Sequence, residues 1–204
     1  MSSLRILGVA HTGITCSDID RSIAFYRDVL GFPVTDKARR GGVIMEQVTG
    51  VPGAVIDIAY VDAPGHRIEL LSYVAPRDQV RSALRPCDPG FFHLAFDVED
   101  IETVVTAVRA AGYEPVNPIP TVTEGPAEGL RGVYTRDPDG VVIEFLEWPR
   151  DAPSPLPSER PAADGWVAGV ERVLNVGIGS PTALESASGA TDDRARNDAK
   201  EADS

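Results

Sequence analysis

Cysteine and long apolar runs are both scarce in this chain of 204 residues. Its two cysteines, Cys16 and Cys87, are too few for a disulfide framework or a thiolate metal site. No apolar run approaches the roughly 18 residues that span a bilayer, and the opening MSSLRILGVAH lacks the apolar stretch of a secretory signal. We therefore expect a cytoplasmic protein with no membrane partner.

The chain also has fewer basic than acidic residues. Lysine and arginine number 19 against 31 aspartates and glutamates, which gives a formal net charge of -12. Nucleic acids and anionic lipids need clustered basic side chains, so neither is an expected partner. The apolar share of 43% is enough for a real core. A small molecule and a second copy of the chain remain as the expected partners.

The chain has only three histidines, and two of them occupy matching places in an internal repeat. His11 begins HTGITCSDIDRSIAFYRDVLGF, and His93 begins HLAFDVEDIETVVTAVRAAGY. Each segment predicts a strand followed by an amphipathic helix, with apolar residues at steps of three and four and a glycine at the end. In the first copy, Ser17 and Asp20 have the spacing of a capping box. The repeat at about 80 residues is the main architectural signal.

After each helix, the apolar pattern changes to that of strands. In the first copy the predicted strands are GVIMEQV, AVIDIAYV and RIELLSYV; in the second they are a less clear YEPVNPI, then RGVYTRD and VVIEFLEW. The sequence therefore predicts an α+β fold of two paired βαβββ modules, over residues 5–75 and 91–149. Beyond these modules, residues 150–180 read as a Pro-rich linker and a docking segment, and residues 181–204 as a disordered tail.

The last strand of each copy carries an acid among apolar residues, Glu69 in the first and Glu144 in the second. Burying a carboxylate is costly unless something neutralises it. If the strand faces that carry Glu69 and Glu144 point into a common cavity, two imidazoles and two carboxylates meet there. His11, Glu69, His93 and Glu144 would then hold a divalent metal such as Ni, Co, Zn, Mn or Fe, with two positions open for water or substrate.

The segments HTGITCSDIDRSIAFYRDVLGF, HLAFDVEDIE and YTRDPDGVVIEFLE resemble the vicinal oxygen chelate superfamily. This superfamily includes glyoxalase I, methylmalonyl-CoA epimerase, extradiol dioxygenases and small antibiotic-resistance proteins. The resemblance covers residues 5–149 and implies curved sheets that form a cup around a metal held at the four positions above. The glyoxalase and methylmalonyl-CoA epimerase branch fits best. Thr15 stands where glyoxalase I commonly has arginine, and Glu69 where the epimerases usually have glutamine.

The resemblance implies an isomerase, epimerase or lyase that moves a proton next to a chelated oxygen of a small molecule. The candidate bases are Glu144, Glu69 and Glu46, the last in a predicted strand; Arg67 is a candidate for binding an anionic substrate. A homodimer is expected. Two alternatives stay open. One is an Fe(II) extradiol-type dioxygenase, since two histidines and one carboxylate suffice for it. The other is a non-catalytic binder of an antibiotic or metabolite.

Overall fold

The computed structural model describes residues 5–81, 84–125 and 127–150. Apart from Arg150, the predicted linker, docking segment and tail lie outside the described residues. The elements in chain order are β1 (Thr12–Thr15), α1 (Ile19–Ala24) with a π-helical continuation (Phe25–Val29), β2 (Ala38–Gly41), α2 (Val43–Thr49), β3 (Val55–Ala63), β4 (His66–Ala75), β5 (His93–Asp97), α3 (Ile101–Ala110), β6 (Arg131–Arg136) and β7 (Val142–Glu147). Among the described residues, no helix has the length and apolar character needed to cross a membrane.

The strands form two mixed sheets, one in each half of the chain. The first has the order β1-β4-β3-β2, and the second has the order β5-β7-β6. In each sheet the strand before the helix runs parallel to the last strand, whereas the other neighbours are antiparallel. The predicted α+β class is therefore confirmed. In the second half, the less clear segment forms no regular strand in the described chain; Thr121 makes an isolated bridge to Arg131.

Successive side chains of each strand point to opposite faces, so each sheet has a core face and an open face. In β4, Ile68 and Leu70 are fully buried, whereas Glu69 between them is not. The helices bury the residues that the helical period predicts, among them Ile19 in α1 and Val105 in α3. Both sheets contribute to one continuous apolar core. This shared core leaves the acids on the faces that point away from it.

The start of α1 differs from the prediction. Asp18, and not Ser17, is the N-cap, because its carboxylate accepts hydrogen bonds from the backbone N–H groups of Asp20 and Arg21. The backbone N–H and hydroxyl of Ser17 instead donate to Asp139 in the turn between β6 and β7, at 2.9 and 2.6 Å. The serine therefore ties the first module to the second.

The predicted strand GVIMEQV is wrong, because Val43–Thr49 forms the helix α2. Glycines bracket the segment: Gly42 has φ 84° at its start, and Gly50 has φ 70° at its end. The N–H of Gly50 donates to the carbonyl of Glu46 at 2.8 Å and closes the last turn. The first sheet takes its fourth strand from the polar residues just before, Ala38–Gly41.

Candidate functional site

A histidine, a glutamate and a tyrosine lie in a row across three neighbouring strands of the first sheet. Glu69 in β4 pairs with Gly13 of β1 on one side and with Tyr60 of β3 on the other. His11 lies two residues before Gly13, on the same side of the chain, and its Nε2 is 3.1 Å from Oε2 of Glu69. The hydroxyl of Tyr60 donates a 2.7 Å hydrogen bond to Oε1 of Glu69.

The second sheet repeats this row with the same register. Glu144 in β7 pairs with Ala95 of β5 and with Tyr134 of β6. Nε2 of His93 is 3.0 Å from Oε2 of Glu144. The ring of Tyr134 lies against the imidazole of His93, with centroids 5.2 Å apart. The predicted equivalence of the two histidine–glutamate pairs therefore holds in three dimensions.

Both glutamates are largely withdrawn from solvent. The side chain of Glu69 is 14% exposed and that of Glu144 is 21% exposed, against 39% and 36% for their histidine partners. Burial raises the pKa of Glu144, and the charge and hydrogen bond of His93 oppose that rise. The imidazole of His93 is thus positioned to offset the cost of burying Glu144.

The tyrosines of the two rows also have perturbed acidity. The hydrogen bond to Glu69 raises the pKa of Tyr60, with burial and the charge of Glu69 acting in the same direction. Burial, followed by the charge of Glu144, raises the pKa of Tyr134. Both phenols therefore stay protonated at neutral pH and can act as donors.

Sequence reasoning missed these tyrosines, although a signal for them was present. Tyr60 and Tyr134 occur in AVIDIAYV and RGVYTRD, the strands that precede the two acid-bearing strands. Aligning the two hairpins by their turns places each tyrosine opposite a glutamate, as the register has them. The repeat that begins at the two histidines ends before these strands, so it does not include the tyrosines.

The other two predicted site residues have different surroundings. Glu46 lies in the first turn of α2 and is half-buried, so the strand predicted for it is wrong. Arg67 lies on the open face with Glu69, as predicted, but its Nε donates to Asp62 at 2.8 Å. Its guanidinium carbon is 5.6 Å from the centre of the Tyr60 ring. Arg67 therefore borders the first row and is already paired with an acid.

The structure does not bring the four predicted metal ligands together. Within residues 5–81, 84–125 and 127–150, no group of three or more His, Cys, Asp or Glu side chains is placed to hold one ion. The two histidine–glutamate pairs are instead separate. Each belongs to its own sheet.

A cavity of about 600 Å³ lies beside β5, one of the two edge strands of the second sheet. Its lining is mainly apolar and comes from both halves of the chain, including Leu30, Phe32 and Phe96. Asp97 and His66 add polar groups to the lining. None of the four predicted ligands lines it, although Ala95, the register partner of Glu144, does.

Two mixed sheets with one histidine–glutamate row each define an α+β protein with an internal structural repeat. The chain belongs to the glyoxalase/bleomycin resistance protein/dioxygenase superfamily, whose family model matches residues 8–145. This match confirms the resemblance to the vicinal oxygen chelate proteins.

Named relatives and solved structures agree with this assignment. The chain is 32% identical over 154 residues to a 2-epi-5-epi-valiolone epimerase of Actinomyces sp, covering 72% of this chain and 82% of that protein. It is 29% identical over 149 residues to the lactoylglutathione lyase of Haemophilus influenzae, covering 68% and 91%. A glyoxalase family protein from Bacillus cereus has a similar structure, with a TM-score of 0.63 and 26% identity over 72% of this chain and 98% of that one.

Proposed function

We propose that this chain is a divalent-metal enzyme that moves a proton next to a chelated oxygen of a small molecule, as an epimerase, an isomerase or a glyoxalase-type lyase. The observation that carries the proposal is the repeated His–Glu contact at 3.0 and 3.1 Å. Two ligands about 2.1 Å from an ion and at right angles to each other are about 3.0 Å apart, so each pair has the spacing of adjacent ligands. The names of the relatives, an epimerase and a lyase, support the same class of chemistry.

The donor set fits a borderline divalent ion, because imidazole nitrogens and carboxylate oxygens are both among its ordinary ligands. His11, Glu69, His93 and Glu144 would hold it. When bound, such an ion supplies a Lewis acid that polarises a substrate carbonyl. A glutamate of the site then removes the proton from the adjacent carbon and returns it.

A second copy of the chain would complete this site. The described residues of one copy hold two half-sites, and β1 and β5 are both edge strands that carry or adjoin a histidine. Ile6, Leu7 and Val9, just before β1, are each at least 80% exposed. Such apolar side chains, together with open strand edges, favour association. We therefore expect a homodimer in which the first row of one subunit faces the second row of its partner.

Metal content tests the proposal directly. Protein purified without chelator and analysed for elements is expected to contain about one divalent ion per chain, since a dimer of this kind has two sites. His11→Ala and Glu144→Ala are each expected to abolish this metal. The third histidine provides the matched control, because Nε2 of His66 is 2.8 Å from the hydroxyl of Thr12 and lies in neither pair. Wild-type protein without bound metal, or a loss as large in His66→Ala, would contradict the proposal.

The type of reaction needs a separate measurement. Candidate hydroxy- and keto-substrates incubated with the protein in D₂O are expected to gain deuterium at the carbon next to the carbonyl. Oxygen uptake with catechols and Fe(II), without such exchange, would favour the dioxygenase alternative. Tight ligand binding that is unaffected by His93→Ala would favour a non-catalytic binder.

A further inference from the structure

The open face of the second sheet carries a further acid, Asp97, beyond its histidine–glutamate row. Leu94 and Phe96 of β5 pack against the core. Side chains alternate along a strand, so Ala95 and Asp97 both lie on the opposite, open face. Glu144 pairs with Ala95, and Asp97 is two residues further on, which is about 7 Å along the strand. A small molecule bound at the row therefore reaches Asp97 within a few bonds.

The carboxylate of Asp97 is held at one oxygen and is available at the other. The indole N–H of Trp148 donates to Oδ1 at 3.0 Å. Among the described residues, Oδ2 has no hydrogen-bond partner, and no lysine or arginine forms an ion pair with Asp97. Asp97 is half-buried and lines the cavity of about 600 Å³ beside β5. It therefore offers a fixed acceptor next to space for a ligand.

The internal repeat does not account for an acid at this position. Asp97 pairs with Leu146, and the equivalent pair in the first sheet is Thr15 with Leu71. The leucine is shared, whereas the edge strand has aspartate in one sheet and threonine in the other. Partial burial of a carboxylate costs free energy, and a single hydrogen bond from a neutral donor offsets only part of it. Asp97 is therefore a feature of the second half that the repeated row does not explain.

The two leucines also lean in opposite directions. Cδ1 of Leu71 would be 3.4 Å from a Cβ added at Gly13, which places this methyl over β1. Cδ2 of Leu146 would be 3.0 Å from a Cβ added at Gly132, which places this methyl over β6. Because β6 and β5 lie on opposite sides of β7, Leu146 leans away from Asp97. The surface beside the carboxylate is left open.

We propose that Asp97 is a substrate-binding residue that accepts a hydrogen bond from a hydroxyl group of the substrate, several bonds away from the chelated oxygen. This inference rests on the proposed function and deepens it, because it makes a polyhydroxylated carbonyl compound the substrate class. A carboxylate with one available oxygen accepts hydroxyl donors and repels other carboxylates and phosphates.

The neighbours of Asp97 favour a hydroxyl over an ammonium group. An ammonium has three N–H donors, and each needs an acceptor when it is withdrawn from water. Leu146 and Gly132, which lie next along the sheet, have no side-chain acceptor. A hydroxyl has a single proton to donate, and Oδ2 of Asp97 suffices for it.

Two hydroxyketones test the substrate class. Hydroxyacetone has the adjacent carbonyl and hydroxyl oxygens that a metal chelates, and D-xylulose has the same pair with further hydroxyl groups along its chain. Titrations followed by calorimetry measure both affinities. Wild-type protein is expected to bind D-xylulose about 10- to 100-fold more tightly, the range for one hydrogen bond to a charged group.

Three variants assign this preference to Asp97. Asp97→Ala is expected to lower the affinity for D-xylulose by about 10- to 100-fold and to leave that for hydroxyacetone unchanged. Asp97→Asn keeps an acceptor oxygen, and an intermediate loss is expected because a neutral acceptor forms a weaker bond. Thr15→Ala is the matched control at the equivalent position, and it is expected to change neither affinity. Thermal unfolding shows which variants fold, and Asp97→Asn carries the test if Asp97→Ala does not.

The outcomes separate this inference from the proposed function. Equal affinity for the two hydroxyketones, binding of neither, or an equal loss in Thr15→Ala overturns the inference. A loss in Asp97→Asn as large as that in Asp97→Ala overturns the hydroxyl class, because it shows that the charge alone is recognised. If neither Asp97 variant folds, the residue has a structural role and the inference is overturned. Absence of metal and of deuterium exchange contradicts the proposed function alone, since a preference for D-xylulose that depends on Asp97 would still stand.

Discussion

At the scale of single residues, burial distinguishes side chains of the same type. Glu69 and Glu144 lie in apolar strands and each faces a histidine, whereas the third histidine, His66, bonds Thr12 and pairs with no acid among the described residues. The sequence pattern was sufficient to find both acids, since a carboxylate between buried apolar residues requires a neutralising partner. The pattern could not show that each histidine–glutamate pair forms within its own sheet, because that depends on strand register.

The two cysteines provide a prediction at this scale. Cys16 is 3% exposed, and burial raises the pKa of its thiol to about 11, whereas Cys87 is exposed. Only the thiolate reacts with alkylating agents, so Cys16 is expected to stay unmodified at pH 8. Mass spectrometry after iodoacetamide treatment should find one label, on Cys87, in native protein and two in denatured protein. Rapid native labelling of Cys16 would show that this part of the core opens.

At the scale of elements, the apolar pattern correctly predicted the strands in which apolar residues recur along the whole segment. AVIDIAYV and RIELLSYV became β3 and β4, and RGVYTRD and VVIEFLEW became β6 and β7. The failure was Val43–Thr49, where β-branched residues suggested a strand but the segment packs as a helix with no buried residue. Intrinsic preference for strands is weak and depends on the surrounding sheet. The left-handed glycines at its ends were the better signal.

The glycine that ends α2 can be tested by itself. Gly50 has φ 70°, and a Cβ added there would meet nothing within 4 Å. Gly50→Ala therefore introduces only the strain of a left-handed backbone and is expected to lower the free energy of unfolding by about 1–2 kcal/mol. Urea denaturation measures the change. Gly8→Ala is the control, because Gly8 has equal space and no positive φ; equal effects would show that the conformation at Gly50 is not what matters.

At the scale of the whole molecule, assembly decides whether the two histidine–glutamate pairs can hold one metal ion. The repeat explains why each half carries a histidine and a glutamate, and a single core joins the two halves of one chain. Yet the described residues of one copy keep the two pairs apart. Sequence periodicity specifies which face of a sheet a residue occupies and carries no information on which copy supplies the opposite face. A two-fold symmetric dimer offers a simple solution, with two complete sites per pair of chains.

Mixed dimers test this assembly. Subunits carrying His11→Ala and subunits carrying His93→Ala are each expected to lose metal as homodimers. A dimer with one copy of each, isolated through two different affinity tags, pairs the intact first row of the His93→Ala subunit with the intact second row of its partner. Its other site lacks both histidines. Such dimers should therefore bind about half the wild-type amount of metal, as two-fold symmetry requires. Sites built within single chains would give no recovery, because every chain then has one damaged row.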